Sequence, residues 1–258
     1  MEMQDSFIPN FEQQIVLITG GSRGIGASIS RLFDNLGAQL LIVYRSKEED
    51  AMELLDELQG DHQIYQCDIS DPAQVSDLIE DIEEEFGKID ICINNAGVGF
   101  HHPIDEVSYS QWQSSWKQIM DINLIGPANI CHQVAQLMIT QGSGKIINVS
   151  SRGAFRGEPQ MAAYGASKAG LNSLTQSLAH ALAQHNIFVG AIAPGFVETD
   201  MSRPRLEGSV GEAIKNQSPM NRVAHPDEVA QAVLLMAQSN QWMTGGIFDV
   251  NGASYFRT

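Results

Sequence analysis

Short apolar runs alternate with amphipathic stretches along almost the whole chain, and that alternation restricts the fold more than any other feature. Ile15-Val16-Leu17-Ile18 precedes a helical pattern from Gly24 to about Leu36, and Leu40-Leu41-Ile42-Val43 precedes a charged helix from about Glu48 to Leu58. Ile64-Tyr65-Gln66-Cys67 leads to a helix opened by Asp71-Pro72, with proline in the first turn where its missing N–H costs nothing. Ile89-Asp90-Ile91-Cys92-Ile93 is followed by a loop and a long helical region from about Gln111 to Met138. Lys145 to Val149, Phe188 to Ala193 and Ile247 to Val250 complete seven strand candidates. Continuous apolar runs suit strands buried on both faces, and intervening helices suit parallel pairing with right-handed crossovers. The pattern predicts an α/β fold, a doubly wound seven-stranded parallel sheet flanked by helices on both faces, read as a single domain over residues 1–258. One long segment, Phe196 to about His225, lacks clear regularity and contains Pro204, Gly208, Gly211 and Pro219. A stretch of that length in a compact domain reads as a lid or substrate-binding loop.

Charge narrows the partners. The chain carries a formal net charge of −16, which argues against nucleic acid and anionic membrane as partners. Part of the excess, Asp77, Glu80, Asp81, Glu83, Glu84 and Glu85, reads as the solvated face of a helix whose apolar side carries Val75, Leu78, Ile79 and Ile82. No run approaches the ~18 apolar residues of a membrane span. Met1 to Phe11 is polar and acidic, without a secretory leader pattern. Cys67, Cys92 and Cys131 are scattered and read as core thiols of a cytoplasmic protein rather than ligands. No metal site is expected; His101 and His102 follow a turn and are read as edging a pocket, with no third ligand spaced to join them.

The first strand ends in Thr19-Gly20-Gly21-Ser22-Arg23-Gly24-Ile25-Gly26, where a helix begins. Glycines there let the backbone turn tightly and approach a pyrophosphate, whose charge a helix N-terminus favours. The second strand ends in Val43-Tyr44-Arg45-Ser46, where an NAD site would place an acid for the ribose hydroxyls. Arg45, with Arg23 in the glycine turn, instead suits the 2′-phosphate of NADP(H). Further on, Tyr164-Gly165-Ala166-Ser167-Lys168 holds an ammonium beside a phenol, because residues four apart share a helix face. A nearby cation stabilises phenolate and lowers the tyrosine pKa, as proton exchange at a carbonyl or alcohol needs.

With these features on one chain, the sequence resembles the short-chain dehydrogenase/reductase family from about Gln13 to Tyr255. The family's motifs occur in order: the glycine turn, Asp68-Ile69, Asn94-Asn95-Ala96-Gly97, Asn123, Ser151 with Tyr164 and Lys168, and Pro194-Gly195 with Thr199. The resemblance implies a Rossmann fold binding NADP(H) through Gly20, Ser22, Arg23, Gly24, Ile25 and Gly26, and through Arg45 and Ser46. It places Asp68 on the adenine amino group with Ile69 beside the ring. Asn95, Ala96 and Gly97 would line the cofactor and brace the central strand. Pro194, Gly195, Val197 and Thr199 would hold the nicotinamide end. Tyr164 would protonate the carbonyl oxygen, Ser151 (rather than its neighbour Ser150) would hydrogen-bond it, and Lys168 would bind the nicotinamide ribose and lower the tyrosine pKa. Asn123 would hold a water completing a proton relay.

Pro194 to Met201 and the tail around Thr244-Gly245-Gly246 look most like the 3-oxoacyl-(acyl-carrier-protein) reductases. Those enzymes dock an acidic carrier with basic residues at places held here by Gly142 and His185, so a carrier-protein substrate is in doubt; a small ketone or secondary alcohol is the first expectation, with 3-oxoacyl-(acyl-carrier-protein) reduction in fatty acid synthesis kept as an alternative. Arg152, Arg156, Arg203 and Arg205 either steer an anionic substrate or lie solvated beside Glu158 and Glu207. A silent NADP(H)-sensing regulator is the alternative class, although such proteins typically lose the tyrosine or lysine. The resemblance also implies a homotetramer, with small residues Gly165, Ala169, Ser173 and Ser177 allowing close helix packing.

Overall fold

A computed structural model describes residues 10–257. The stretch from Met1 to Pro9, which carries most of the polar N-terminus, lies outside the described residues. Seven strands form one sheet: β1 (Ile15–Thr19), β2 (Gln39–Tyr44), β3 (Gln63–Gln66), β4 (Ile91–Asn94), β5 (Gly144–Val149), β6 (Ile187–Pro194) and β7 (Ile247–Val250). Their spatial order is β3-β2-β1-β4-β5-β6-β7, and every neighbouring pair is parallel. The expected doubly wound sheet is present with all seven strands.

The continuous apolar runs have a direct cause in burial. Successive strand residues face opposite sides, and both sides are covered. Leu17, Leu41, Cys92, Ile146 and Val189 pack against α3 (Pro72–Phe86), α5 (Gly126–Gln141) and α6 (Ala162–Leu182). Val16, Ile18, Leu40, Ile42, Ile93 and Ile147 pack against α1 (Gly24–Asp34), α2 (Glu48–Glu57) and α8 (Pro226–Gln238). Each fully buried aliphatic side chain contributes about 1.5–3 kcal/mol. The acidic face of α3 lies opposite buried Val75, Leu78, Ile79 and Ile82, as its periodicity predicts.

The strand order fixes where a ligand fits. The chain winds outward from β1 to β3, then crosses back so that β4 lies on the other side of β1. Connections diverge above the carboxyl ends of β1 and β4, leaving the crevice in which open α/β sheets bind ligands.

Two segments differ from expectation. The long helical region is α4 (Tyr109–Met120) running into α5 through a π turn at Asp121–Ile125, where Gly126 N–H donates to Asp121 O. Pro127 supplies the sequence reason, since it has no N–H and the Asn123 carbonyl four residues back loses its α-helical donor. The segment from Phe196 to His225 is more ordered than its glycines and prolines suggest. Ala224 N–H donates to Phe196 O and Glu198 N–H to Ala224 O, both at 2.9 Å, pinning its two ends together. Between them lie a 3-10 turn at Arg203–Arg205 and α7 (Gly208–Lys215), held down by Ile214.

Candidate active site

The glycine turn packs as tightly as its sequence requires. Gly20 has φ +61°, and a Cβ there would meet the Ala96 Cα at 2.9 Å. At Gly26 a Cβ would fall 2.0 Å from the Gly20 carbonyl oxygen, so this glycine seats α1 against the end of β1. Asn95 locks the same corner, donating through Nδ2 to Gly20 O at 2.8 Å and Thr19 O at 3.2 Å. Helix α1 has no side-chain N-cap hydrogen bond, as is also the case for α2, α5, α6 and α7, while Asp71, Ser108 and His225 cap α3, α4 and α8. Its N-cap residue is Arg23, a cation at the helix end whose dipole favours an anion.

A cavity of about 620 Å³ runs from this corner along the strand ends. One end is lined by Arg23, Arg45, Ser46, Lys47 and Asp68, and the other by Ser151, Tyr164, Phe196 and Arg205. Uncapped helix, glycine floor and cationic rim fit a dinucleotide phosphate. Among the described residues Arg23 has only a long contact to a carboxylate, Asp50 at 4.0 Å, and Gln66 Nε2 donates to the Arg45 carbonyl at 3.1 Å. Asp68 is oriented by Ser70, whose N–H and hydroxyl both donate to Oδ1, at 3.0 and 2.6 Å.

Every cofactor and catalytic residue expected from the sequence lines this cavity except two, Gly26 and Asn123. Gly26 is a packing glycine below the floor. Asn123 is fully buried behind the wall: Val98 N–H donates to its Oδ1 at 2.8 Å, while Nδ2 donates to Val98 O at 2.9 Å and Ser167 Oγ at 3.2 Å. With its side chain so committed, its group suited to hold a water is the main-chain carbonyl that Pro127 deprives of an α-helical donor.

Four residues apart on α6, Tyr164 and Lys168 reach the cavity together. The phenol ring lies against Gly99, where a Cβ would meet ring carbon Cδ2 at 3.2 Å. The Lys168 ammonium is buried, donates to Val149 O at 2.8 Å, and has its pKa pushed down to about 8 by burial. Burial is also the largest influence on the phenol and raises its pKa. The Ser151 hydroxyl and the Arg205 guanidinium pull it down, and the Glu158 carboxylate pushes it up. In the protein without cofactor, desolvation of the phenol outweighs the Ser151 hydroxyl and the Arg205 guanidinium.

The adjacent serines both line the cavity but make different contacts. Ser150 is buried, its N–H bonded to Ile192 O at 2.8 Å and its hydroxyl facing Lys168 O at 3.4 Å. Ser151 reaches the phenol, and its Oγ accepts Gly153 N–H at 3.0 Å. His102 does not edge the cavity as expected; it is fully buried, Nε2 accepting the Ala163 N–H and Nδ1 facing Phe100 O, each at 3.0 Å. It ties the loop after β4 to the start of α6, leaving Phe100 to line the cavity. No metal-binding cluster occurs among the described residues.

Lys47, Glu158, Met161 and Met201 also line the cavity and were not singled out as pocket residues from sequence. Lys47 had a signal, being a third polar residue after Tyr44 at the end of β2. The others come from loops whose path no periodicity reveals.

The buried ammonium gives a stability prediction. Because the folded pKa of Lys168 is depressed, its cost is fully present below about pH 8 and is relieved as pH rises towards the unfolded lysine value. Lys168→Met in the cofactor-free protein should gain about 2–3 kcal/mol more over wild type at pH 7 than at pH 10, measured by urea unfolding. An equal difference at both pH values would contradict a buried charge.

Fold and site together define a Rossmann-type α/β protein with a phenol, a hydroxyl and an ammonium converging at one end of a dinucleotide-sized crevice. A family model described as Enoyl-(Acyl carrier protein) reductase matches residues 20–253. A 3-oxoacyl-(acyl-carrier-protein) reductase of Thermotoga maritima is 33% identical over 244 residues, covering 93% of this chain and 97% of that protein. A 3alpha-hydroxysteroid dehydrogenase of Mediterraneibacter gnavus is 35% identical over 250 residues, 94% of this chain and 97% of that protein. The crystal structure of gox2181 superposes with a TM-score of 0.87 at 29% identity, covering 95% of this chain and 96% of that one. The chain belongs to the short-chain dehydrogenase/reductase family, enzymes that oxidise CH–OH or reduce C=O groups with a nicotinamide cofactor. Among the described residues, no helix is long and apolar enough to cross a membrane.

Proposed function

We propose that the protein is an NADP(H)-dependent carbonyl reductase, interconverting a small ketone and its secondary alcohol with Tyr164 as general acid and base. The observation that carries this reading is one cavity with Ser151, Tyr164 and Lys168 at one end and Arg23, Arg45 and Lys47 at the other. The cationic end favours a 2′-phosphate, since Asp68 is the sole acid lining it among the described residues. There Asp68 would accept from the adenine amino group and Ile69 would pack on the ring. Pro194, Gly195, Val197 and Thr199 would hold the nicotinamide, with Lys168 on its ribose.

Bound NADPH supplies a hydride to the carbonyl carbon. Ser151 donates a hydrogen bond to the carbonyl oxygen as negative charge grows there, and Tyr164 transfers its proton to that oxygen. A phenol whose pKa is raised by burial stays protonated at neutral pH, the state reduction requires. The proton is replaced through Lys168 and a water on the Asn123 carbonyl. Ketone-dependent loss of the nicotinamide absorbance, with NADPH favoured over NADH, tests the reading; NADPH binding without turnover across a ketone panel would support the sensor class instead.

The relatives' names favour a second reading, reduction of a carrier-bound 3-oxoacyl group. Gly142 and His185, together with a net charge of −16, weigh against docking an acidic carrier. By resemblance the enzyme assembles as a homotetramer. Exposed Ala169, Ser173 and Ser177 on α6, and Trp242 and Phe256 at 97% and 73% exposure near β7, offer the small and apolar surfaces such packing uses.

A further inference from the structure

The four arginines near the substrate end divide into two kinds. Arg203 pairs with Asp200 at 2.8 Å in solvent, and Arg156 sits 3.8 Å from Glu158. Arg152 and Arg205 have no carboxylate within ion-pair distance among the described residues. Arg152 is nevertheless 3% exposed, immediately after Ser151, with Nη1 donating to the Ser254 hydroxyl. Both guanidiniums lie over the Phe196 ring, Arg152 at 5.3 Å and Arg205 at 4.9 Å from its centroid. Both line the cavity that holds Tyr164. Two cations drawn together over one ring, one of them buried with the Glu158 carboxylate beyond ion-pair distance, are costly in a protein alone. The cost is unexpected in a chain of net charge −16, where carboxylates are plentiful. An arriving anion compensates it, and guanidinium forks match the planar or tetrahedral oxygens of carboxylate and phosphate.

We propose that the substrate is an anionic ketone, its carboxylate or phosphate held by Arg205 and Arg152 while its carbonyl faces Ser151 and Tyr164. The inference rests on the carbonyl-reductase reading and narrows its substrate class. In the reducing direction the carbonyl carbon gains a hydride from NADPH and the oxygen gains the Tyr164 proton, giving a hydroxy acid or hydroxy phosphate and NADP+; the anionic group is unchanged. Phe196 and Met161 add apolar walls, so a short carbon chain joins the two ends.

The test compares 2-, 3- and 4-oxo acids of four to six carbons with their methyl esters, and dihydroxyacetone phosphate with dihydroxyacetone, by kcat/KM with NADPH. An acid over its ester, or the phosphate over the free ketone, should be preferred by about 20-fold, as expected for a hydrogen-bonded charge; which pair shows it identifies the anion. The ratio should collapse towards one in Arg205→Met and persist in Arg203→Met, whose arginine is solvated and paired. Equal rates for every charged and neutral partner would overturn the anion site while leaving the reductase intact. Absence of turnover with every ketone would overturn the reductase reading instead. Calorimetric binding of the same pairs to NADPH-loaded Tyr164→Phe protein then decides the anion site on its own, since no preference for the charged member would refute it.

Discussion

Replacing Tyr164 by phenylalanine should lower kcat/KM for ketone reduction by about a thousandfold, within the range that positioned acid–base groups contribute. The substitution removes one hydroxyl from a ring already wedged against Gly99, so the packing of α6 is retained. Lys168 still anchors to Val149 O, and the glycine turn lies at the other end of the cavity. NADPH affinity by fluorescence titration should therefore stay within about threefold of wild type, as for a group whose interaction is made in the transition state. The raised phenol pKa adds a direction for the wild-type enzyme. Reduction, which needs the protonated phenol, should persist through neutral pH and fall only at alkaline pH. Alcohol oxidation, which needs phenolate, should rise with pH. Equal activity of Tyr164→Phe and wild type would remove the phenol from the chemistry.

The second large effect concerns cofactor choice. Arg45→Asp should reduce kcat/KM with NADPH by about 50-fold, the scale of losing a hydrogen bond to a charged group and facing a like charge. With NADH the same variant should match or exceed wild type, because a carboxylate at the end of β2 can accept from the ribose hydroxyls. Arg23 and Lys47 remain at the rim, so the NADPH preference should be weakened or reversed while both cofactors still bind. Steady-state kinetics with the two cofactors in parallel provide the measurement. An unchanged ratio would mean that the cationic rim does not touch the 2′ position.

What was legible in the sequence follows from how strongly local chemistry constrains each residue. Both faces of β1, β2, β4 and β6 are buried, so their apolar runs announce them directly. Gly20 and Gly26 must be glycine where Ala96 and the Gly20 carbonyl crowd them, which makes the turn readable. The Tyr164–Lys168 spacing gave the shared face, but the direction of the phenol pKa depends on burial, which spacing does not report. The π turn was not foreseen, because Pro127 reads equally as a helix start; only in context does it free the Asn123 carbonyl. α7 escaped notice because Gly208 and Gly211 lower its helix propensity, while Ile214 packing restores it. The charged end of the substrate region stayed open for a similar reason. Which arginines pair with carboxylates is set by loop paths, and the structure separates Arg152 and Arg205 from Arg156 and Arg203.

In the proposed reaction this cavity brings a nicotinamide hydride to a carbonyl carbon beside Tyr164. The most direct measurement follows deuterium from NADPH labelled at the transferring C4 position into the products of a ketone panel by mass spectrometry and proton NMR. One deuterium is expected on the carbinol carbon of at least one product, on a single face, and none with Tyr164→Phe over the same interval. Unlabelled ketones throughout, with NADPH bound by the wild-type protein, would contradict the proposed reaction.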